Sequence, residues 1–133
     1  MLQQSRRKQD SFEMFETGYQ LKQSTEELMR VKLMMKLETL IEEHFREQKS
    51  RKFYAAVLKT DLFVLEGLSK EILDASINQL LADRQQQETI KMVLDWTLSI
   101  KEISYTLGFK SQSGFSAYFK RVTGLSPLAF RRR

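Results

Sequence analysis

The 133-residue sequence predicts an all-α protein, and three observations carry that expectation. Apolar residues recur every three or four positions rather than every second one, which is the period of a helix face. Only one proline, Pro127, and five glycines punctuate the chain. Serine or aspartate, the residues that cap helix N-termini, stand just before several of the apolar runs. Hydrophobic residues at 41% and charged residues at 29% are the balance of a globular chain with a core, so neither disorder nor a membrane span accounts for the composition. The length suits one domain with an appendage.

Within residues 1–23, Phe12, Phe15 and Tyr19 recur at i, i+3, i+7 and predict one short amphipathic helix, which Gly18 disturbs. Ser24 followed by Glu27 matches a capping box and predicts a fresh helix start, running to about Gln48. Its stripe Met34, Leu37, Ile41, Phe45 is expected to face a core. Leu28, Val31 and Met35 widen the apolar surface beyond one face, which suits either ordinary packing or a second apolar partner. A helix over about residues 52–58 ends at Lys59 and Thr60, and Asp61 can cap the next, in which Leu65, Leu68 and Ile72 point inward. From about Ser76 a long helix carries Ile77, Leu80 and Leu81 at one end and Ile90, Val93 and Leu94 at the other. The polar middle, Gln85 to Glu88, is expected to be a solvated rod.

Ser99 and Glu102 form a second capping box, and Ile100, Ile103 and Leu107 put apolar groups on one face of a helix that Gly108 can end in a left-handed conformation. Ser111 can cap the following helix, whose Phe115, Phe119 and Val122 are expected to be buried. On the opposite arc lie Ser113, Ser116, Ala117 and Lys120, with nothing bulky among them. A helix entering a major groove needs small or hydrogen-bonding side chains at its first turns and cations where phosphates pass, which Gln112, Ser113, Ser116 and Lys120 supply. Free backbone N–H groups near Ser111 suit a phosphate. Gly124 then ends this helix, and Ser126 with Pro127 begins the last one. Two short helices meeting across a tight turn, with a supporting third, are a helix-turn-helix.

Charge is distributed in the same sense. Residues 1–50 are neutral and residues 51–95 carry −1, whereas 96–133 hold seven basic residues against Glu102 alone, a net of +6. A polyanion would therefore feel the carboxyl-terminal segment. The absence of cysteine excludes disulfides and thiolate metal sites and makes a reducing, cytoplasmic setting the expectation. No apolar h-region follows Met1 and no run reaches 18 apolar residues, so neither export nor a membrane is expected. Enzyme chemistry finds no support: the single histidine, His44, sits among Glu42, Glu43 and Arg46 on a helix. No nucleophile–base arrangement, phosphate-binding glycine loop or metal-ligand cluster accompanies it, and no cofactor is implied.

The segment LSIKEISYTLGFKSQSGFSAYFKRVTGLSP at residues 98–127 resembles the second helix-turn-helix of AraC/XylS-type regulators. Upstream, KFYAAVL at 52–58 and Ser69, Lys70 and Glu71 resemble parts of the family's first motif, so the similarity covers roughly residues 33–133. The resemblance implies two helix-turn-helix subdomains of homeodomain-like helices, 33–75 and 95–133, joined by a connecting helix over 76–94. Residues 1–32 become a helical extension or the remnant of an upstream domain. It also implies two recognition helices in successive major-groove segments about 34 Å apart. The family's DNA-facing positions in the second motif map to Lys110, Gln112, Ser113, Gly114, Ser116, Ala117 and Lys120, flanked by Ser111 and Arg121. In the first motif they map to Leu62, Phe63, Glu66, Gly67 and Lys70.

Gly114 and Ala117 stand where larger or arginine side chains are usual, and the first motif offers an acid and a mid-helix glycine. The second motif is therefore expected to dominate. Double-stranded DNA is the expected partner, RNA polymerase a further candidate, and either a homodimer mate or a missing sensor domain the candidate for the 25–48 helix. The rival reading is a helical protein-interaction module with a degenerate DNA-binding fold.

Overall fold

The computed structural model describes residues 2–133, and the side chains of Met14 and of residues 16–133. It contains seven helices and, among the described residues, no strand. Helix α1 spans Leu2–His44 without a break. The helix start expected at Ser24 is therefore replaced by continuous helix, with Thr25 returning its hydroxyl to the Leu21 carbonyl at 2.9 Å. The neighbouring Gln20, Leu21, Lys22, Gln23, Glu26 and Glu27 are all good helix formers. Leaving the helix at Ser24 would forfeit backbone hydrogen bonds, while keeping Gly18 inside it costs only about 1 kcal/mol. Tyr19 is exposed, its hydroxyl accepting a hydrogen bond from Gln23; the expected packing of Phe12 and Phe15 lies outside the described side chains.

Helices α2 (Arg51–Val57) and α3 (Leu62–Ile72) follow, then α4 (Ile77–Leu94), α5 (Ile100–Thr106), α6 (Gln112–Thr123) and α7 (Pro127–Arg132). Five of the N-termini are capped as their sequences require. Asp61 accepts from the Phe63 and Val64 N–H groups, and Ser76, Ser111 and Ser126 each accept from the residue three further on. Ser99 and Glu102 close a reciprocal capping box.

Two apolar clusters form the core. The first joins Met34, Leu37, Ile41 and Phe45 of α1 and its C-terminal turn to Tyr54, Leu65, Ile77 and Leu81. The second joins Val93, Ile100, Ile103, Phe115 and Phe119, with Phe109, Tyr118 and Phe130 packed against it. Helix α4 contributes one end to each cluster. In the second, rings run from Phe109 to Phe115 (5.3 Å), to Phe119 (5.8 Å), to Phe130 (5.3 Å). Val122, expected to be the third buried position of α6, is instead exposed, because Phe130 of α7 closes the core there.

The middle of α4 is not the bare rod that its polarity suggests. Arg84 makes a bidentate pair with Glu42 of α1 at 2.6 and 2.8 Å and lies 4.4 Å over the Phe45 ring. Arg46 reaches Glu88 at 2.6 Å. Thr89 is buried, and Gln85 places its carbonyl oxygen out of solvent without a partner. The end of α1 thus covers one side of the connecting helix.

Candidate nucleic-acid interface

The two helix pairs α2–α3 and α5–α6 are built alike. In each, the first helix ends in a residue of ordinary helical conformation, Leu58 or Leu107, and the next residue has a positive φ. That residue is Gly108 at φ 87° in the second pair but Lys59 at φ 52° in the first. Glycine occupies the left-handed region freely, whereas a side chain there costs about 1–2 kcal/mol. An N-cap, Asp61 or Ser111, then starts the second helix.

On α6, Gln112, Ser113, Gly114, Ala117, Lys120 and Arg121 are exposed and Ser116 is half-buried, so the expected face is presented as one continuous low surface. Ser111 accepts from the Gly114 N–H at 3.1 Å and shares a hydrogen bond with Ser113 at 3.2 Å. A Cβ at position 114 would stand 3.2 Å from the Ser111 hydroxyl, so glycine spares the cap a tight contact and lowers the face. Lys110 is exposed in the turn. Among the described residues neither Lys110 nor Lys120 forms an ion pair, and no acidic residue lies on α6. Arg121 sits 5.8 Å from the Tyr118 ring, its charge open to solvent. The two turns of α6 that bear the small polar side chains are thus flanked by three uncompensated cations, the electrostatic footprint a phosphate backbone would meet.

On α3 the expected residues divide. Phe63 is 87% exposed, Gly67 and Lys70 are exposed and Leu62 is half-buried, forming a sparse and partly apolar face. Glu66 lies at the floor of the surface depression that these residues line. The side chain is buried, its carboxylate pairing with Arg51 at 3.2 Å and accepting from the Ile77 N–H at 3.5 Å, at the start of α4. The acid is a clamp between α2, α3 and α4, and its charge is paired with that of Arg51. Periodicity alone missed this because the partners Arg51 and Ile77 lie 15 and 11 residues away.

Arg131 is a second residue whose role the sequence conceals. Its guanidinium donates to the carbonyls of Val93 (2.7 Å), Asp95 (3.1 Å) and Leu98 (2.8 Å) and lies 5.4 Å from the exposed Trp96 ring. One of the seven carboxyl-terminal cations therefore anchors α7 to the end of α4, and the other six are exposed. Asp95, beside it, is held below the usual carboxylate range by hydrogen bonds from Thr97, with Arg131 adding to the effect.

A helix-turn-helix domain family model matches residues 54–133. Among solved structures, the chain is similar to the C-terminal domain of AraT, a response regulator from Geobacillus stearothermophilus. Identity is 27%, with a TM-score of 0.64 over 75% of this chain and 84% of that one. It is also similar to an AraC-type regulator from Chromobacterium violaceum, at 20% identity and TM-score 0.63 over 75% and 89% of the two chains. The DNA-binding domain of AdpA, solved in complex with a target DNA, matches at 20% identity and TM-score 0.61 over 74% and 88%. Comparison with curated protein sequences finds no match.

Proposed function

This chain belongs to the AraC-type helix-turn-helix family of DNA-binding transcription regulators, and from that premise we propose that it reads a bipartite DNA site with α3 and α6, the latter dominant. Residues 33–75 and 95–133 act as the two reading units, and 76–94 as the spacer that sets them one helical turn of DNA apart, about 34 Å. The observation that carries the reading is the asymmetry of the two faces. Helix α6 presents Gln112, Ser113 and Ser116 between Lys110, Lys120 and Arg121, whereas α3 presents Phe63 and Gly67 with Lys70 as its cation.

On this reading Lys110, Lys120 and Arg121 neutralise phosphates and hold α6 in register. Gln112, Ser113 and Ser116 offer donors and acceptors to base edges, and Ala117 and Gly114 let the helix sit deep, with Ala117 able to touch a thymine methyl. Phe63 gives α3 an apolar contact with little phosphate affinity. Selection from a random duplex pool, followed by footprinting, tests the reading. Recovered sites should hold one strongly specified segment and a weaker one about 10 base pairs away. Two equally specified segments would remove the dominance of α6. No enrichment, together with salt-insensitive association of the protein alone, would favour the helical interaction module instead.

A further inference from the structure

The amino-terminal part of α1 carries a pattern that DNA reading does not use. Met14 and every residue from Glu16 to Lys32 are exposed, so this arm of the helix packs on nothing among the described side chains. Along it Met14, Leu21, Leu28 and Met35 recur at intervals of seven, with exposures of 75%, 64%, 53% and 61%. A row that repeats every seven residues drifts by about 20° per repeat on a straight helix and stays in line only when two helices wind around each other with a left-handed supercoil. With these four residues at position a of the repeat, Val31 falls at d, Glu27 at g and Lys32 at e. Leu33, Met34 and Leu37, which pack on the first core cluster, fall at f, g and c, so at this end of the row a and d are turned away from the body of the protein.

We propose that this face is a homodimer seam, occupied by the same arm of a second copy in a parallel, in-register two-stranded coil. Charge selects the occupant and its direction. In a parallel pair, position g of one helix faces the following e of the other, five residues on. Glu27 then meets the partner's Lys32, and Lys32 meets the partner's Glu27, two ion pairs per dimer with both members exposed in the single chain. An antiparallel pair sets g against g and e against e, which separates these charges. Thr17 and Ser24 at d weaken the seam, so its occupancy follows protein concentration and rises where two copies are held side by side on DNA.

Sedimentation equilibrium of the full chain without DNA, over a hundredfold range of concentration, tests the seam independently of the DNA reading. A monomer–dimer equilibrium is expected. Leu21→Glu with Leu28→Glu should weaken it about tenfold or more, while helix content and single-site DNA affinity stay unchanged, because both positions are exposed. Glu27→Lys should weaken it by about twofold to fivefold, and adding Lys32→Glu should restore it, since the swap rebuilds both pairs in reverse. A monomer at every concentration, a dimer indifferent to Leu21 and Leu28, or a charge swap that does not restore association would each overturn the proposal.

Discussion

The α2–α3 and α5–α6 units share one architecture and differ in what they do with their charges. Around the first, several ionic groups are turned on the protein itself: Glu66 ties Arg51 to the start of α4, and at the adjoining α1–α4 seam Arg84 and Arg46 bind Glu42 and Glu88, while Lys52, Lys59 and Lys70 stay exposed. In the second, Lys110, Lys120 and Arg121 are left without acidic partners among the described residues, and only Arg131 is drawn inward. The two units thus share a fold and differ in how many of the charges around them are paired within the protein.

The comparison breaks most directly in the cores. Phe115→Ala should cost about 3–5 kcal/mol and Leu65→Ala about 2–5 kcal/mol in chemical denaturation, since both side chains are fully buried. If α4 merely joins two cores, hydrogen exchange in Phe115→Ala will open residues 100–130 while the Leu65 region keeps its protection. Equal opening in both variants would mean that α4 fuses them.

Arg131→Ala removes three hydrogen bonds to backbone carbonyls and should cost about 2 kcal/mol, whereas the exposed Arg132→Ala should stay within about 0.5 kcal/mol. Matching losses in thermal melts would deny Arg131 its anchoring role. The two turns can be exchanged in the same way. Gly108→Ala should lose about 1–2 kcal/mol, while Lys59→Gly should be neutral or gain up to about 0.5 kcal/mol, because both positions have positive φ. Loss in both would show that Lys59 has contacts that outweigh its backbone strain.

On DNA, Lys120→Ala should weaken binding by about threefold to tenfold and lower the salt slope by about one, with Lys70→Ala doing less. Equal slopes across a salt titration would erase the asymmetry of the two faces. The smallest effect concerns acid. Hydrogen bonds from Arg46 hold the Glu88 carboxyl, and those from Arg84 the Glu42 carboxyl, below the usual range. Their stabilising contribution is complete above the ordinary carboxylate range and is lost as pH falls through the lowered values of the folded state. Glu88→Gln should therefore flatten the acid limb of a stability–pH curve, and an unchanged limb would show that the pair contributes nothing net.

Most of the second unit was legible along the chain, because its signals are local. The capping box at Ser99, the left-handed Gly108 and Gly124, and the proline after Ser126 each act over a few residues. The face of α6 was legible for the same reason, as a surface at helical spacing needs no partner to define it. The partners of Glu66 were not legible, because nothing local brings Arg51 and the α4 N-terminus beside an acid that the resemblance maps to the α3 face. Ser24 did mislead: its capping box was present in the residues, but nothing in the chain before it wished to stop being helical.

By itself, then, the sequence determined the helical period, the caps and turns from α3 onward, the inward stripe of α1, the buried Phe115 and Phe119 of α6 and the positive carboxyl-terminal segment, since all depend on interactions within a turn or two. The tertiary structure alone decided which charges remain free, that α1 covers the middle of α4, and that Phe130 rather than Val122 closes the second core. Those outcomes depend on groups separated by up to 42 residues, as in the Arg84–Glu42 and Arg46–Glu88 pairs, and only the packing of helices brings such groups within hydrogen-bonding distance.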